Sequence, residues 1–258
     1  MVDAADEIVR VAGWLGADGG VTTVLTGAGI STDSGIPDFR GPTGVWTTDP
    51  AAQRMVDISV YAADPEIRRA AWRRRRDHPT WSATPNAAHR ALVDLERAGR
   101  LRAIVTQNID RLHQRAGSAG DQVIELHGSM AQTVCLSCRD RRDMAEALAR
   151  LDAGEADPPC LACGGILKSA TIFFGESLDR QVLAAAQLAA AECAVFLVIG
   201  TSLTVAPASW LPGLAAEAGA RVVIVNGAPT PYDRLADAVI RQPIGAAVPA
   251  LVARAVAS

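Results

Sequence analysis

The sequence is short of lysine: Lys168 is the only one among 25 basic residues, and the rest are arginine. It lacks a long apolar run. The longest, Cys193 to Ile199, has seven residues, against the roughly 18 a membrane span needs. No secretory pattern opens the chain, because Asp3, Asp6 and Glu7 stand where such a signal needs basic and then apolar residues. It also lacks an excess of charge. A formal net charge of −3, with 21% charged and 49% hydrophobic residues, excludes a disordered or fibrous chain and gives no bulk attraction to nucleic acid. Internal repeats are absent, as is low complexity beyond alanine-rich helix. These absences predict a globular, cytoplasmic protein whose 258 residues make one to two domains at roughly 150 residues each.

Cysteine is present in a pattern. Four of the five fall into Cys135-x-x-Cys138 and Cys160-x-x-Cys163, separated by 21 residues, the spacing of two knuckles that close one tetrahedral site. Four thiolates fill the coordination sphere, so a zinc here is structural; a catalytic zinc keeps a position open for water. The alternative is two pairs of free buried thiols. Cys193, at the start of an apolar run, reads as core. The surrounding segment, about 130 to 168, holds Pro158-Pro159 and Gly164-Gly165 with little apolar periodicity, which suggests a small inserted module.

Elsewhere the pattern is α/β. Ile8, Val11, Ala12 and Leu15 predict an amphipathic N-terminal helix ending near Gly16 or Gly19. Near-continuous apolar runs at 21–26, 101–106, 194–199 and 221–225 read as parallel strands buried on both faces, with a shorter one at 123–126. Thr84-Pro85 reads as the cap and first turn of a helix carrying Ala88, Ala91, Leu92 and Leu95, stopped by Gly99. Further helices are expected at 206–218 and 248–256.

The first strand runs into Gly27-Ala28-Gly29-Ile30-Ser31, a small-residue turn of the kind that lets backbone approach a phosphate. The ordinary dinucleotide fingerprint is not met, since its third glycine would fall at Thr32 and no strand follows to place an acid on the ribose. Instead the polar stretch from Ser31 to Gly41 continues the turn. Gln107-Asn108-Ile109-Asp110, His127-Gly128, Gly200-Thr201-Ser202 and Asn226 also stand at strand ends, where ligands of open α/β sheets bind. Asn108 and Asp110 could instead cap the next helix, and a lone histidine is commonly structural; their coincidence at strand ends favours one cleft.

Gly27-Ala-Gly-Ile-Ser, Ser34-Gly-Ile-Pro-Asp-Phe-Arg-Gly41, Gln107-Asn-Ile-Asp110, Leu126-His-Gly128, the two cysteine pairs, Phe174-Gly-Glu176, Gly200-Thr-Ser-Leu203 and Asn226 occur in the order seen in sirtuins. The chain resembles that family of NAD-dependent protein lysine deacylases from about residue 5 to 255. The resemblance implies a Rossmann-like parallel sheet with helices on both faces and an inserted zinc module. Its Rossmann-like part would comprise 1–45, 90–130 and 170–258, the helical part of the small domain 46–89, and the zinc module 131–169.

In such enzymes the acyl oxygen attacks the nicotinamide ribose, nicotinamide leaves, and an alkylimidate resolves to free lysine and O-acyl-ADP-ribose. By resemblance His127 is the general base, and Asn108 and Asp110 hold the carboxamide and the attacking water. Ala28, Ile36, Phe39 and Ile109 line the nicotinamide pocket. Arg40 and Gln107 orient ribose and phosphates, while Gly27, Gly200, Thr201 and Ser202 cradle pyrophosphate and Asn226 reaches the adenosine ribose. Gly29, Asp38 and Ile244 complete the NAD-binding set. Ile172, Phe173, Phe174 and Gly175 would clamp the acyl-lysine peptide against Leu203, Thr204 and Val205 as an added strand. The expected co-substrate is NAD, with one structural zinc and a monomeric chain. The alternatives are a protein mono-ADP-ribosyltransferase, a dehydrogenase, and a zinc-bearing module that only senses NAD.

Three departures stand out. Arg111 replaces the glycine usual after Gln-Asn-Ile-Asp, and Ser169 and Thr171 stand where proline and valine are common. Phe39 to Trp46 looks most like the nuclear class, with a longer helix after it. Arg68, Arg69 and Arg73 to Arg76 put six positive charges in nine positions. They read as a solvated helix face or as a patch for nucleic acid or an acidic partner; by resemblance to sirtuins that prefer acidic acyl groups, Trp72-x-x-Arg75, or Ala71 with Arg74, would form part of an acidic-acyl pocket. With so little lysine, self-deacylation could act only on Lys168 or the amino terminus.

Overall fold

The computed structural model describes residues 4–17 and 20–257; Asp3 and Gly19, invoked above, lie outside the described residues. In chain order the elements are α1 (Ala4–Leu15), β1 (Thr22–Thr26), α2 (Val45–Thr48), α3 (Ile58–Ala63), α4 (Pro65–Arg76), α5 (Ala87–Arg97), β2 (Leu101–Thr106), α6 (Leu112–Ala116), β3 (Val123–Glu125), β4 (Gly128–Cys135), β5 (Arg141–Asp143), α7 (Met144–Asp152), β6 (Leu167–Thr171), α8 (Arg180–Ala191), β7 (Val195–Ile199), α9 (Leu211–Glu217), β8 (Arg221–Val225), β9 (Ala238–Ile240) and α10 (Ile244–Val256).

Six strands form a parallel sheet in the order β3-β2-β1-β7-β8-β9. All five residues of β1 and of β7 are buried, which is why these strands read as unbroken apolar runs rather than alternating ones. Alternate residues feed two core layers. Val195, Leu197 and Ile199 pack with Leu15, Leu92, Leu95 and Leu251 of α1, α5 and α10. Phe196 and Val198 face Ala186, Ala190, Leu211 and Ala215 of α8 and α9. Each such leucine, fully buried, contributes about 1.5–3 kcal/mol. The chain winds outward through β2 and β3, then crosses back to β7 beside β1. That reversal is the topological switch point, where the strand-end loops diverge and a ligand cleft forms.

The second sheet is antiparallel, β5-β4-β6, and belongs to the cysteine-bearing segment. Its core joins Cys135, Met144, Ala147, Leu151, Cys160 and Leu167 to Trp72 of α4.

Three expected boundaries are corrected. The cap of α5 is Asn86, not Thr84: its side chain accepts from the amides of Ala88 and His89, while His89 Nδ1 accepts from the Asn86 amide. Pro85 therefore precedes the cap. The helix expected at 206–218 shortens to α9 after a 3₁₀ turn at Ala208–Trp210, because Pro212 has no amide hydrogen and fits only a helix's first turn. α10 starts at Ile244, four residues before Val248, and carries Pro249 within it. α8 had no clear apolar stripe to announce it: it is alanine-rich, with Leu188 53% exposed.

Candidate active site

The site is built where the loops after β1, β2, β3 and β7 meet. Gly27 donates to the carbonyl of Ile199 at 3.0 Å and Gly29 to that of Gly200 at 2.9 Å. A Cβ on Gly29 would lie 2.8 Å from Gly200 Cα, and one on Gly200, whose φ is +63°, would lie 2.5 Å from the Ile30 amide. The small residues thus let two loops cross backbone to backbone at the switch point.

Polar side chains knit the cleft together. Ser31 donates to Asp110 Oδ2 at 2.8 Å, and Asn108 Nδ2 donates to the Gly27 carbonyl at 3.1 Å and to Ser31 Oγ at 3.2 Å. Asp110 Oδ1 accepts from the amide of Leu112, the first residue of α6, at 2.9 Å; the cap position itself is Arg111, so the carboxylate tethers the start of the helix from within the cleft. Burial pushes its pKa upward, against the hydrogen bonds from Leu112 and Ser31 that pull it down. Gln107 Nε2 donates to Thr201 Oγ1 at 3.0 Å, tying the β2 loop to the β7 loop.

His127 Nδ1 lies 2.9 Å from the Gln107 carbonyl. A carbonyl only accepts, so the imidazole proton sits on Nδ1 and Nε2 carries a free lone pair. Burial lowers the His127 pKa, partly offset by that carbonyl bond, which keeps the ring in its basic, neutral form at pH 7.

Phe39, Trp46 and Phe174 form a chain of rings with centroids 4.7 and 5.6 Å apart, and the Arg40 guanidinium lies 4.5 Å over Trp46. Asp38 shapes this loop by accepting from the Gly41 amide at 2.8 Å. Ile36 is buried against Ala83 and Leu112 under the same loop, while Ala28 and Ile109 are half-buried at its base. At the far end Asn226 Nδ2 donates to the Ala228 carbonyl at 2.8 Å, and Ile244 packs on the core at the start of α10.

The expected peptide clamp is partly satisfied from within. Ile172 donates to the His127 carbonyl, Phe174 to that of Val56, both at 2.8 Å, and Phe173 donates to Glu176 Oε2 at 2.8 Å. The Phe173 ring is in the core with Tyr61 and Ala71. In the other expected half of the clamp, Leu203 is buried with φ +53°, and Ser202 and Thr204 share a hydroxyl contact at 2.9 Å while Val205 is half-buried.

Lys168 is too buried to serve as an acylation target. It is 2% exposed, its Nζ lies 2.8 Å from Glu176, and it donates to the carbonyls of Thr171 and Ser169 at 2.5 and 3.2 Å.

The four paired cysteines bring their sulfurs within 4.8 Å of one another, with Cys135–Cys163 and Cys138–Cys160 at 3.5 and 3.7 Å. A tetrahedron of Zn–S bonds about 2.3 Å long has edges of about 3.8 Å, so the set fits one structural zinc. Cys193 is buried away from it, in the core beside α8.

The arginine run is largely tied down. Arg68 pairs with Asp157 at 2.8 Å, Arg74 with Asp49 at 2.9 Å and Arg76 with Asp77 at 2.8 Å, while Arg69 pairs with Glu66. Arg75 is half-buried near Tyr61, and the loss of water around its guanidinium lowers its pKa to about 10. Trp72 is 1% exposed in the zinc module's core, so its ring is unavailable to a carboxylate beside Arg75. Ser31, Trp46 and Glu176 stand inside the sequence motifs but were given no part in the site, and the pairing of Lys168 with Glu176 was not foreseen. Ser31 stands inside the glycine-turn motif, and that position was the available signal.

A parallel α/β sheet with polar loops gathered at its switch point, beside a four-thiolate module, defines a Rossmann-like nucleotide-site protein with a structural zinc module. The pattern of the Sir2 family matches residues 27–207, and the chain belongs to that family. It is 55% identical over 232 residues to NAD-dependent protein deacetylase 2 of Streptomyces coelicolor, covering 90% of this chain and 96% of that one. It is 43% identical over 252 residues to NAD-dependent protein deacetylase 1 of Pyrobaculum aerophilum, covering 96% and 95%. Among solved structures, one described under the mechanism and regulation of Sir2 enzymes superposes with a TM-score of 0.87 at 40% identity, over 97% and 98% of the two chains. A Sir2 complex with a deacetylated peptide and 3'-O-acetyl-ADP-ribose gives 0.84 at 35% identity, over 96% of each.

Proposed function

We propose that this chain is an NAD-dependent protein lysine deacetylase that transfers the acyl group to ADP-ribose and releases nicotinamide. The observation that carries the reading is the Nε2 lone pair of His127, fixed by the Nδ1 bond to Gln107, at the mouth of a cleft holding Asn108 and Asp110. When bound, NAD supplies an electrophilic ribose carbon with nicotinamide as leaving group. The chain's part is to bind, orient and move protons. Asn108 and Asp110, buried and cross-braced by Ser31, present an amide and a carboxylate to the carboxamide and the attacking water. Gly27, Gly200, Thr201 and Ser202 cradle the pyrophosphate, Arg40 and Gln107 orient ribose and phosphates, and Gly29 and Asp38 complete the NAD-binding set. Ala28, Ile36, Phe39 and Ile109 supply the wall of the nicotinamide pocket, and Asn226 and Ile244 stand at the adenosine end. His127 takes a proton from the ribose hydroxyls at Nε2, a task that suits a neutral imidazole.

The acyl-lysine peptide enters between Gly175 and the Thr204–Val205 backbone. The amides of Ile172, Phe173 and Phe174 are already used within the chain, which leaves the outer turn of the clamp to receive an extended strand. The zinc held by Cys135, Cys138, Cys160 and Cys163 fixes the module that carries β4 and β6, and takes no part in the chemistry. A set of four reduced thiols suits a reducing cytoplasm, and the reading takes the chain as a monomer acting on protein substrates. No helix among the described residues is long and apolar enough to cross a membrane.

The test is a panel of acetyl-, propionyl-, succinyl- and long-chain acyl-peptides assayed for nicotinamide release. Acetyl-peptide is expected to serve. Adenine-labelled NAD leaving its label on protein would instead support ADP-ribosyl transfer.

A further inference from the structure

Behind the cleft lies a buried polar chain that the reaction as described does not use. His89 and His113 are 0% and 2% exposed, and their ring centroids are 5.0 Å apart. His89 Nδ1 accepts from the Asn86 amide at 3.4 Å, so the neutral ring carries its proton on Nε2. That Nε2–H is buried without a partner among the described residues, as is Nδ1 of His113. His113 Nε2 lies 3.0 Å from Thr26 Oγ1, Thr26 Oγ1 lies 2.8 Å from Thr106 Oγ1, and the Asn108 amide donates to Thr106 Oγ1 at 3.0 Å.

Two proton arrangements satisfy the hydroxyl end. Thr106 could donate to Thr26 and Thr26 to His113, which would put the His113 proton on Nδ1 and bring two orphan donors together on adjacent rings. In the other, His113 Nε2–H donates to Thr26 and Thr26 to Thr106, and His113 Nδ1 is an acceptor that complements the His89 donor. Only the second gives the two orphans opposite character, a donor on His89 and an acceptor on His113; no direct bond joins them, and one water would bridge the pair. Burial holds both pKa values low, at about 4 and about 3, consistent with two neutral rings.

We infer that Asn86, His89, His113, Thr26 and Thr106 form a directional hydrogen-bond relay whose role is to hold the Asn108 loop in register with the loop after β1. Both ends touch the cleft. Asn86 Nδ2 donates to the Ile30 carbonyl at 2.7 Å and to Ser34 Oγ at 3.0 Å, and Thr106 receives the amide of Asn108. His113 and Thr26 are positioning residues that act on nicotinamide release through Asn108, and this rests on the reading proposed above. A buried hydrogen-bond chain of this kind favours one geometry over its alternatives.

Nitrogen-15 NMR of the histidine-labelled protein reads the tautomers without reference to activity. Both His89 and His113 are expected as neutral Nε2–H forms that do not titrate between about pH 5 and 8; an Nδ1–H form of His113 overturns the relay's direction. The positioning role is read from Thr26→Val, which keeps the side chain's size, against Thr26→Ser, which keeps the hydroxyl. Thr26→Val is expected to lower kcat for nicotinamide release roughly tenfold, with less than about a twofold change in KM for acetyl-peptide, and Thr26→Ser to restore it. Amide exchange at Asn108 is expected to speed up in the valine variant alone. Parental kcat and parental Asn108 exchange in Thr26→Val overturn the inference. A parent enzyme that releases no nicotinamide fails the functional reading instead, and the Asn108 exchange rates then decide the relay. If Thr26→Val does not fold, His113→Gln, whose side-chain amide can still donate to Thr26, is compared with His113→Leu by the same two readouts, with the same outcomes.

Discussion

At the scale of single residues, His127 shows how a hydrogen bond selects a chemistry. The Gln107 carbonyl accepts the Nδ1 proton and thereby makes Nε2 a base; burial then lowers the pKa and keeps it so. His127→Ala should lower kcat for deacetylation at least about 100-fold while leaving the melting curve near the parent's, since general bases contribute 10²–10⁴-fold in rate. A variant with parental kcat would remove His127 from the reaction. Because the shift is downward, the acid limb of the kcat/KM profile is expected below about pH 6.5, the ordinary value for histidine. Arg111 supplies a second residue-level case. It sits at φ +60°, the left-handed region where a side chain is strained and glycine is not. The glycine expected there from the family pattern has a backbone reason, and Arg111→Gly should raise stability by about 0.5–1 kcal/mol in urea titrations. Unchanged or reduced stability would show that the Arg111 side chain more than offsets its strain, for instance through its attraction to Glu125.

At the scale of elements, what could be read in advance depended on how local the signal was. β1, β2, β7 and β8 were legible because burial on both faces writes an unbroken apolar run. The polar residues that follow them were legible for the same reason, since the strands' carboxyl ends fix where a cleft must lie. Signals that depend on tertiary partners were not. The seating of Trp72 against Cys135 and Cys160 needs α4 docked on a module some 60 residues further along. The cap at Asn86 depends on His89 turning its ring back, a choice that Thr84-Pro85 alone could not exclude. The crossing of Gly29 over Gly200 gives the glycine turn a packing reason that no spacing rule contains. The cysteine module carries its own test. One zinc per chain is expected by elemental analysis, and a strong chelator should lower the melting temperature before inhibition without unfolding is seen, because metal binding is coupled to folding. A metal-free chain with an unchanged melting temperature would contradict the fitted tetrahedron.

At the scale of the whole molecule, the buried histidines link stability to pH. His89 and His113 are held near 4 and 3 by burial, whereas in the unfolded chain each takes up a proton near pH 6.5. Between those values the unfolded state binds more protons, so stability is complete above about pH 6.5 and falls as pH drops toward about 4. The limiting slope is about 1.4 kcal/mol per pH unit for each ring. Asp110, raised by burial, works in the opposite direction nearer the carboxylate range and softens the lower end of the fall. Urea midpoints that decline steadily from about pH 7 to 5 are expected; midpoints that stay level would mean the two rings are not held neutral.

The same scale joins the two sheets: the strand ends of the parallel sheet carry Asn108, Asp110 and His127, and β4 of the thiolate module begins at Gly128, directly after His127. The most direct test is nicotinamide release from NAD with and without acetyl-peptide. Release that requires the acetyl-peptide, with O-acetyl-ADP-ribose formed one for one, is the predicted result. Release at the same rate without peptide, or reduction of NAD in place of its cleavage, would contradict it.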